Sequence, residues 1–183
     1  MDQGLIPRRY ARALFKAARE RSQEKQMYQL TGRLAESFVN EPRLNEVMAN
    51  PFIDATDKTR LLYTAAEADP KSNSLFSDFL SLLIKNRRLD MIRDIAIAYR
   101  DIYRRENKIS RVTVTSAAPL VPTVEQRLKA LIEKHLPAGG SMEYHALTDP
   151  SLIGGFTIAI DNQRLDASVA NELKQLQLSL ITR

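Results

Sequence analysis

Apolar side chains recur every three to four residues through about the first hundred residues, which is the spacing of amphipathic helices. The pattern predicts six helices, at about 6–25 and 27–40, around Leu44–Met48, after a cap at Asp54 or Thr56, and at about 73–86 and 89–106. Asn50-Pro51 and Asp69-Pro70 mark two of the boundaries, since the residue before a proline disfavours the helical conformation.

Near Lys108 the spacing changes to the alternation that is typical of β-strands. The predicted elements are strands at Arg111–Thr115, Ser141–Leu147 and Phe156–Ile160, a helix at about 123–136, and a last helix that starts near Asp166 and carries Val169, Leu173, Leu176 and Leu180. The predicted fold class is therefore α+β. An all-α six-helix bundle over residues 1–107 is followed by a small βαββα domain over residues 108–183.

Two of the predicted helices have more apolar surface than one packed face requires. A surface helix usually shows a single apolar stripe somewhat over 100° wide, and helix 6 keeps to about 140°. On helix 1, Ile6, Tyr10, Ala13, Leu14 and Ala17 form one stripe that Ala11, Phe15 and Ala18 widen to roughly 200°. On helix 5, Leu75, Phe79, Leu82 and Leu83 form a stripe that Phe76, Leu80 and Ile84 widen equally.

The additional apolar surface of helices 1 and 5 has two explanations. Both helices can be central in their own bundle, which is what apolar width by itself usually means. Alternatively, a groove between them accepts an amphipathic helix from another protein. The residues leave both interpretations open.

The residue types exclude several kinds of reactive site. The chain has no cysteine and only two histidines, His135 and His145, so disulfides, thiolate nucleophiles and metal sites rich in cysteine or histidine are excluded. Gly154-Gly155 leads into a strand and lacks the Gly-Lys-Ser/Thr pattern of a phosphate loop, which favours a turn or bulge.

Three aspartates resemble a cation site only superficially. Asp149, Asp161 and Asp166 flank turns and a helix start, where aspartate is common because it hydrogen-bonds its own backbone. We therefore predict no catalytic residue, no cofactor and no metal site.

The net charge of +5 is concentrated at one end of the chain. Residues 1–25 hold seven basic and three acidic residues, whereas the other 158 residues hold 20 and 19. This distribution predicts one basic helix rather than a uniformly basic protein. An alternative function is nucleic-acid binding by that basic face. The simpler interpretation is a solvated face or a patch that steers toward an acidic partner.

The sequence predicts neither a membrane-spanning segment nor a signal peptide. No segment approaches the roughly 18 consecutive apolar residues of a spanning helix, and the N-terminus lacks the order of a signal peptide. Residues 3–19 are rich in arginine and free of acid, as in a mitochondrial transit peptide, but they are poor in serine. We expect any membrane association to be indirect, through partners.

Five stretches, in the same order along the chain, resemble one family. They are Arg-Arg-Tyr-Ala-Arg-Ala-Leu-Phe (8–15), Leu-Leu-Ile-Lys-Asn-Arg-Arg-Leu (82–89), Val-Thr-Val-Thr-Ser-Ala-Ala-Pro-Leu (112–120), Asp-Pro-Ser-Leu-Ile-Gly-Gly-Phe-Thr-Ile (149–158) and Leu-Asp-Ala-Ser-Val (165–169). Together they make the chain similar to the delta subunits of F-type ATP synthase, the family of the mitochondrial oligomycin-sensitivity-conferring protein.

The resemblance implies a non-catalytic stator subunit in the peripheral stalk. It implies that residues 1–107 bind the N-terminal helix of an alpha subunit of the catalytic head, and that residues 108–183 contact the peripheral-stalk b subunits. The subunit would then resist rotation during proton-driven ATP synthesis. It would lie at the cytoplasmic face of the bacterial inner membrane, peripherally and without an obligate homo-oligomer.

The resemblance also assigns residues to the groove. The residues carried over are Tyr10, Ala11, Leu14, Phe15 and Ala18 on helix 1, with Phe76, Phe79, Leu80 and Leu83 on helix 5. Asn86 and Arg87 lie in the matching motif at the end of helix 5, where a structural capping role is the alternative. Phe15 and Phe76 are expected toward the edges of the two apolar arcs.

Overall fold

The computed structural model describes residues 4–70, 72–136, 139–169 and 171. It divides into two compact units, Met1–Arg104 and Arg105–Arg183. The first contains α1 (Leu5–Glu20), α2 (Glu24–Asn40), α3 (Arg43–Ala49), α4 (Ala55–Ala65), α5 (Ser74–Lys85) and most of α6 (Ile92–Glu106), which a 3₁₀ turn precedes at Leu89–Met91. The second contains β1 (Ile109–Ser116), α7 (Pro122–His135), β2 (Ser141–Thr148), β3 (Gly155–Ile160) and β4 (Gln163–Ser168). The predicted α+β class is confirmed.

The helical unit is built around α6. Tyr99 of α6 is fully buried, and its hydroxyl donates a hydrogen bond of 3.1 Å to the carbonyl of Glu24 at the start of α2. Burial, with a smaller contribution from the charge of Glu24, raises the pKa of Tyr99 far above its usual value. The phenol therefore stays neutral and keeps its role as a donor.

A buried lysine, Lys58, caps the C-terminal end of α3. The Lys58 ammonium donates hydrogen bonds to the carbonyls of Met48 (2.9 Å) and Asn50 (2.6 Å). These carbonyls lie in the last turn and at the C-cap of α3, where no intrahelical partner exists. The lysine thus satisfies carbonyls that would otherwise be buried without a donor.

Helix 1 ends at Glu20, so the predicted end near residue 25 is wrong. Ser22 takes a left-handed conformation, with φ 54°, and the N–H groups of Ser22 and Gln23 donate to the carbonyls of Arg19 and Ala18. Glycine usually marks such an end in a sequence. A serine does not, and the apolar spacing continues across the break into α2.

The second unit is a four-stranded sheet in the order β2-β1-β3-β4, with α7 packed on one face. The β1 and β2 strands are parallel because α7 connects them as a crossover, whereas the pairs β1–β3 and β3–β4 are antiparallel. The core contains Val112 and Val114 of β1, Leu128 and Ile132 of α7 and Ile158 of β3.

The structure has a fourth strand, which the predicted βαββα order does not include. Residues 163–168 pair with β3, whereas the sequence predicts a helix that begins near Asp166. The strand lies at the sheet edge, and Gln163–Asp166 are exposed, so no alternation of buried and exposed residues marks it. Val169 and Asn171 are helical, but Leu173, Leu176 and Leu180 of the predicted helix lie outside the described residues.

The glycine pair before β3 serves the strand pairing. Gly155 has a φ of 77°, and a side chain there would collide with the backbone of Ala167 on β4. Only glycine fits this close approach. The turn or bulge predicted for Gly154-Gly155 agrees with this geometry.

We propose that residues 1–107 fold without the rest of the chain, because the helices bury their apolar faces against one another within this segment. The fragment is expected to give a helical circular dichroism spectrum and a single cooperative transition in urea. A random-coil spectrum would contradict this boundary.

Candidate partner-binding surface

Helices α1 and α5 are neighbours in the bundle, and an ion pair joins them at one end. Arg21, just after α1, places its Nη1 3.1 Å from the Oδ2 of Asp78 in α5. Ala17 lies one helical turn before Arg21, and Leu82 lies one turn after Asp78. Ala17 and Leu82 therefore lie next to the same junction.

The predicted groove residues lie mostly inside the bundle. Tyr10 is half-buried, and the other eight are buried: Ala11, Leu14, Phe15, Ala18, Phe76, Phe79, Leu80 and Leu83. In the free protein these eight form the packed side of α1 and α5. Whether a partner also touches them stays a prediction.

Phe15 lies at one edge of the α1 arc, as expected, but that edge is packed inside the bundle, and Phe76 lies near the middle of the α5 arc rather than at an edge. The Phe15 ring packs against Tyr99 and Tyr103 of α6, with centroid distances of 5.8 and 6.5 Å. The Phe76 ring packs edge-on against Tyr63 of α4 at 5.7 Å. Both side chains are anchors of the helical core.

The exposed apolar residues lie on the other flank of each arc. On α1 they are Ile6 (39% exposed), Ala13 and the partly exposed Ala17, next to Tyr10, and on α5 the corresponding residue is Leu82 (45% exposed). Leu5 of α1 is also exposed, but on the basic side of the helix, and Ile84, at the other edge of the α5 arc, is partly exposed. Ile6, Tyr10, Ala13 and Ala17 are spaced by three or four residues, so they share one side of α1. We call these four residues and Leu82 the α1–α5 surface.

Sequence reasoning did not select this flank because both flanks of a 200° arc look alike in a helical projection. The signal that separates them is residue size. The buried edge of the α1 arc is Phe15, a large aromatic residue, whereas the exposed edge is Ala13, with Ile6 and Ala17 beside it and Tyr10 nearer the middle. Small residues allow another helix to approach closely, which suits a docking surface.

The end of α5 has a structural explanation. Arg87 takes a left-handed conformation with φ 53°, and the N–H groups of Arg87 and Arg88 donate to the carbonyls of Ile84 and Leu83. This is a helix-terminating arrangement, in which Asn86 is the C-cap residue. The geometry favours the capping role for Asn86 and Arg87.

The aspartates considered as a cation site are engaged in turns. Hydrogen bonds from Ser151 and Ser168 hold the pKa values of Asp149 and Asp166 below their usual range. Asp161 accepts a hydrogen bond from the backbone N–H of Arg111. Among the described residues no cluster of three acidic or histidine side chains could hold a metal ion.

The second unit has an apolar cavity of about 380 Å³ beside α7. Its lining is mostly apolar, with two polar residues of β4: Leu131, Ile132, Ile158, Ile160, Gln163, Arg164 and Leu165. Leu131 and Leu165 are exposed, so the cavity opens to solvent between the helix and the sheet edge.

Within the described part of the chain, no helix is long and apolar enough to cross a membrane.

Comparison with known proteins decides the family. The model of the ATP synthase delta (OSCP) subunit family matches residues 6–180. The chain belongs to this family. It is 35% identical over 181 residues to the ATP synthase subunit delta of Parabacteroides distasonis, covering 99% of this chain and 98% of that protein. It is 33% identical over 174 residues to the subunit delta of a Prochlorococcus marinus strain, covering 93% of each.

The fold of the OSCP family agrees with the structure. A chain in the cryo-EM structure of the Toxoplasma gondii mitochondrial ATP synthase hexamer superposes with a TM-score of 0.70 at 24% identity, covering 97% of this chain and 98% of that one. At this identity the likeness shows the fold alone. The OSCP family places the chain as a peripheral-stalk subunit of ATP synthase, and the nucleic-acid alternative gains no support.

Core anchors and surface residues are expected to respond differently to substitution. Phe15→Ala and Phe76→Ala should each lower the free energy of unfolding by about 3–5 kcal/mol, because each removes buried aromatic contacts and leaves a cavity. The matched control is Phe52→Ala, since Phe52 is 95% exposed, and a change within about 0.5 kcal/mol is expected there. Urea unfolding of the full chain measures all three. Equal losses at Phe15 and Phe52 would contradict the assignment of Phe15 to the core.

Proposed function

We propose that this chain is a non-catalytic stator subunit that holds an amphipathic helix on its α1–α5 surface. The partner is the N-terminal helix of an alpha subunit of the catalytic head. The observation that carries the proposal is the exposed apolar side shared by two neighbouring helices, Ile6, Ala13 and Ala17 on α1 and Leu82 on α5. The eight buried residues predicted for the groove support this surface from beneath.

The energetics suit helix docking. A groove between two helices accepts a third helix whose own anchors are spaced by three, four and seven residues. The α1 residues have a spacing of three or four, so they present one continuous apolar row to such a helix. Complete burial of a leucine or isoleucine side chain contributes about 1.5–3 kcal/mol, and Ile6 and Leu82 are each more than half buried already. Docking therefore gains only a fraction of that free energy at each of the two residues. The alanines let the backbone of the docking helix come close to α1.

The C-terminal unit is proposed to contact the b subunits of the peripheral stalk. Its candidate contact is the cavity beside α7, because its lining is mostly apolar and Leu131 and Leu165 are exposed at its mouth. Binding at both units would join the catalytic head to the stalk and resist rotation of the head. The protein would then associate with the cytoplasmic face of the bacterial inner membrane only through these partners.

Leu82→Asp is expected to weaken binding of the alpha-subunit N-terminal peptide about tenfold or more, since a carboxylate would be desolvated at the interface. The matched control is Leu61→Asp on α4, because Leu61 is 43% exposed and Leu82 is 45% exposed. The control should leave the affinity unchanged, and both variants should lose similar stability. Calorimetric titration measures the affinities. An equal affinity loss in both variants would place the partner elsewhere.

The isolated protein is expected neither to bind nor to hydrolyse ATP. The described residues contain no metal-binding cluster, and Gly154-Gly155 is used for strand pairing rather than for a phosphate loop. Titration with Mg-ATP and a phosphate-release assay test this expectation. A micromolar dissociation constant would contradict the non-catalytic role.

A further inference from the structure

The basic residues of α1 lie at different distances from the α1–α5 surface. All five side chains, Arg8, Arg9, Arg12, Lys16 and Arg19, are exposed. Arg9 is three residues after Ile6 and four before Ala13, and Lys16 is three after Ala13, so both lie in the row beside the apolar residues. Arg8, Arg12 and Arg19 lie farther around the helix, on the side that flanks Phe15.

A further cation borders the same surface from α5. Lys85 is exposed and follows Leu82 by three residues, which places it on the adjoining row of α5. Measured along the helices from the Arg21–Asp78 junction, Lys16 and Lys85 are about 8 and 10 Å away and Arg9 is about 18 Å away. The described residues offer no ion-pair partner to Arg9, Lys16 or Lys85.

The charge along the surface is therefore uneven. At the junction Arg21 pairs with Asp78 and neutralises its charge. Glu20 is exposed and lies four residues after Lys16, so its carboxylate borders Lys16 at this end of α1. Away from the junction, Arg9, Lys16 and Lys85 form a cationic border. A helix that docks on the apolar residues must place its own flanks against this border, as flanking residues do in a coiled coil.

We propose that the α1–α5 surface selects an amphipathic helix whose apolar stripe is flanked by acidic residues. The inference rests on the proposed function, that this surface binds a helix, and adds the charge that the helix carries. Complementary charge at the rim of an interface speeds association and rejects like-charged competitors more than it adds affinity. The acidic flanks of the helix lie beside Arg9, Lys16 and Lys85.

Three synthetic helical peptides of about 18 residues, roughly 27 Å of helix, test separately whether the surface binds a helix and whether it selects acidic flanks. They share one leucine stripe and carry glutamate, glutamine or lysine on both flanks. The glutamate peptide is expected to bind the full chain at least about threefold more tightly than the glutamine peptide, and the lysine peptide more weakly than both. Only the glutamate peptide should lose affinity as salt rises, until it binds about as tightly as the glutamine peptide.

Charge-reversed variants identify the residues. Arg9→Glu and Lys16→Glu should each weaken the glutamate peptide about threefold or more and strengthen the lysine peptide, while Arg12→Glu, with the same change in net charge, should do neither. Equal affinities of the three peptides, with Leu82→Asp still disruptive, would overturn the charge selection and leave the proposed function standing. Failure of all three peptides to bind would overturn both. If Arg9→Glu and Arg12→Glu changed the affinity of the glutamate peptide equally, only the net charge of the protein would matter and not the position of the residue. That result would also overturn the proposal.

Discussion

The packing of Phe15 between Tyr99 and Tyr103 sets the orientation of α1, and the rest of the proposed surface depends on it. Tyr99 is itself held by its hydrogen bond to the Glu24 carbonyl, and Tyr103 stacks on Tyr28, so both rings that contact Phe15 are held in place. Because the side chains of a helix rotate together, burying Phe15 turns Ile6, Ala13 and Ala17 outward. The apolar residues on one side of α1 are therefore exposed because the other side packs against Tyr99 and Tyr103 of α6.

The same rotation orders the charges of α1. The buried row passes through Ala11, Leu14 and Ala18, and the arginines and lysine occupy the remaining arc. One edge of this arc, at Arg9 and Lys16, adjoins the exposed apolar residues. The sequence leaves nucleic-acid binding by these basic residues open as an alternative, yet the structure places two of them, Arg9 and Lys16, at the border of an apolar surface.

Much of the fold could be predicted from the sequence because its signals are local. The spacing of apolar residues gives six helices, and the alternation at Val112 and Val114 gives the central strand of the sheet. The missed features depend on contacts between distant residues or on unusual residues at special conformations. Strand β4 is polar and exists because β3 pairs with it, and α1 ends at a left-handed Ser22 that carries no glycine signal.

The sequence predicted which two helices form the candidate site, but not which side of each helix is exposed. A 200° arc contains both a packed side and an exposed side, and the neighbouring helices decide which is which, α6 for α1 and α4 for α5. The family resemblance selected Phe15 and Phe76, which the structure places in the core. Leu82 was within the predicted stripe, but its exposure depends on which neighbours surround α5.

The most direct test of the α1–α5 surface is site-directed cross-linking in the assembled ATP synthase. The chain has no cysteine, so Leu82→Cys or Ala13→Cys provides a single attachment point for a photoactivated cross-linker, with Leu61→Cys as the control. Mass spectrometry of the products should identify the N-terminal segment of an alpha subunit for both test positions and not for the control. Cross-links from Leu61→Cys alone, or from Leu82→Cys and Ala13→Cys to another subunit, would contradict the account.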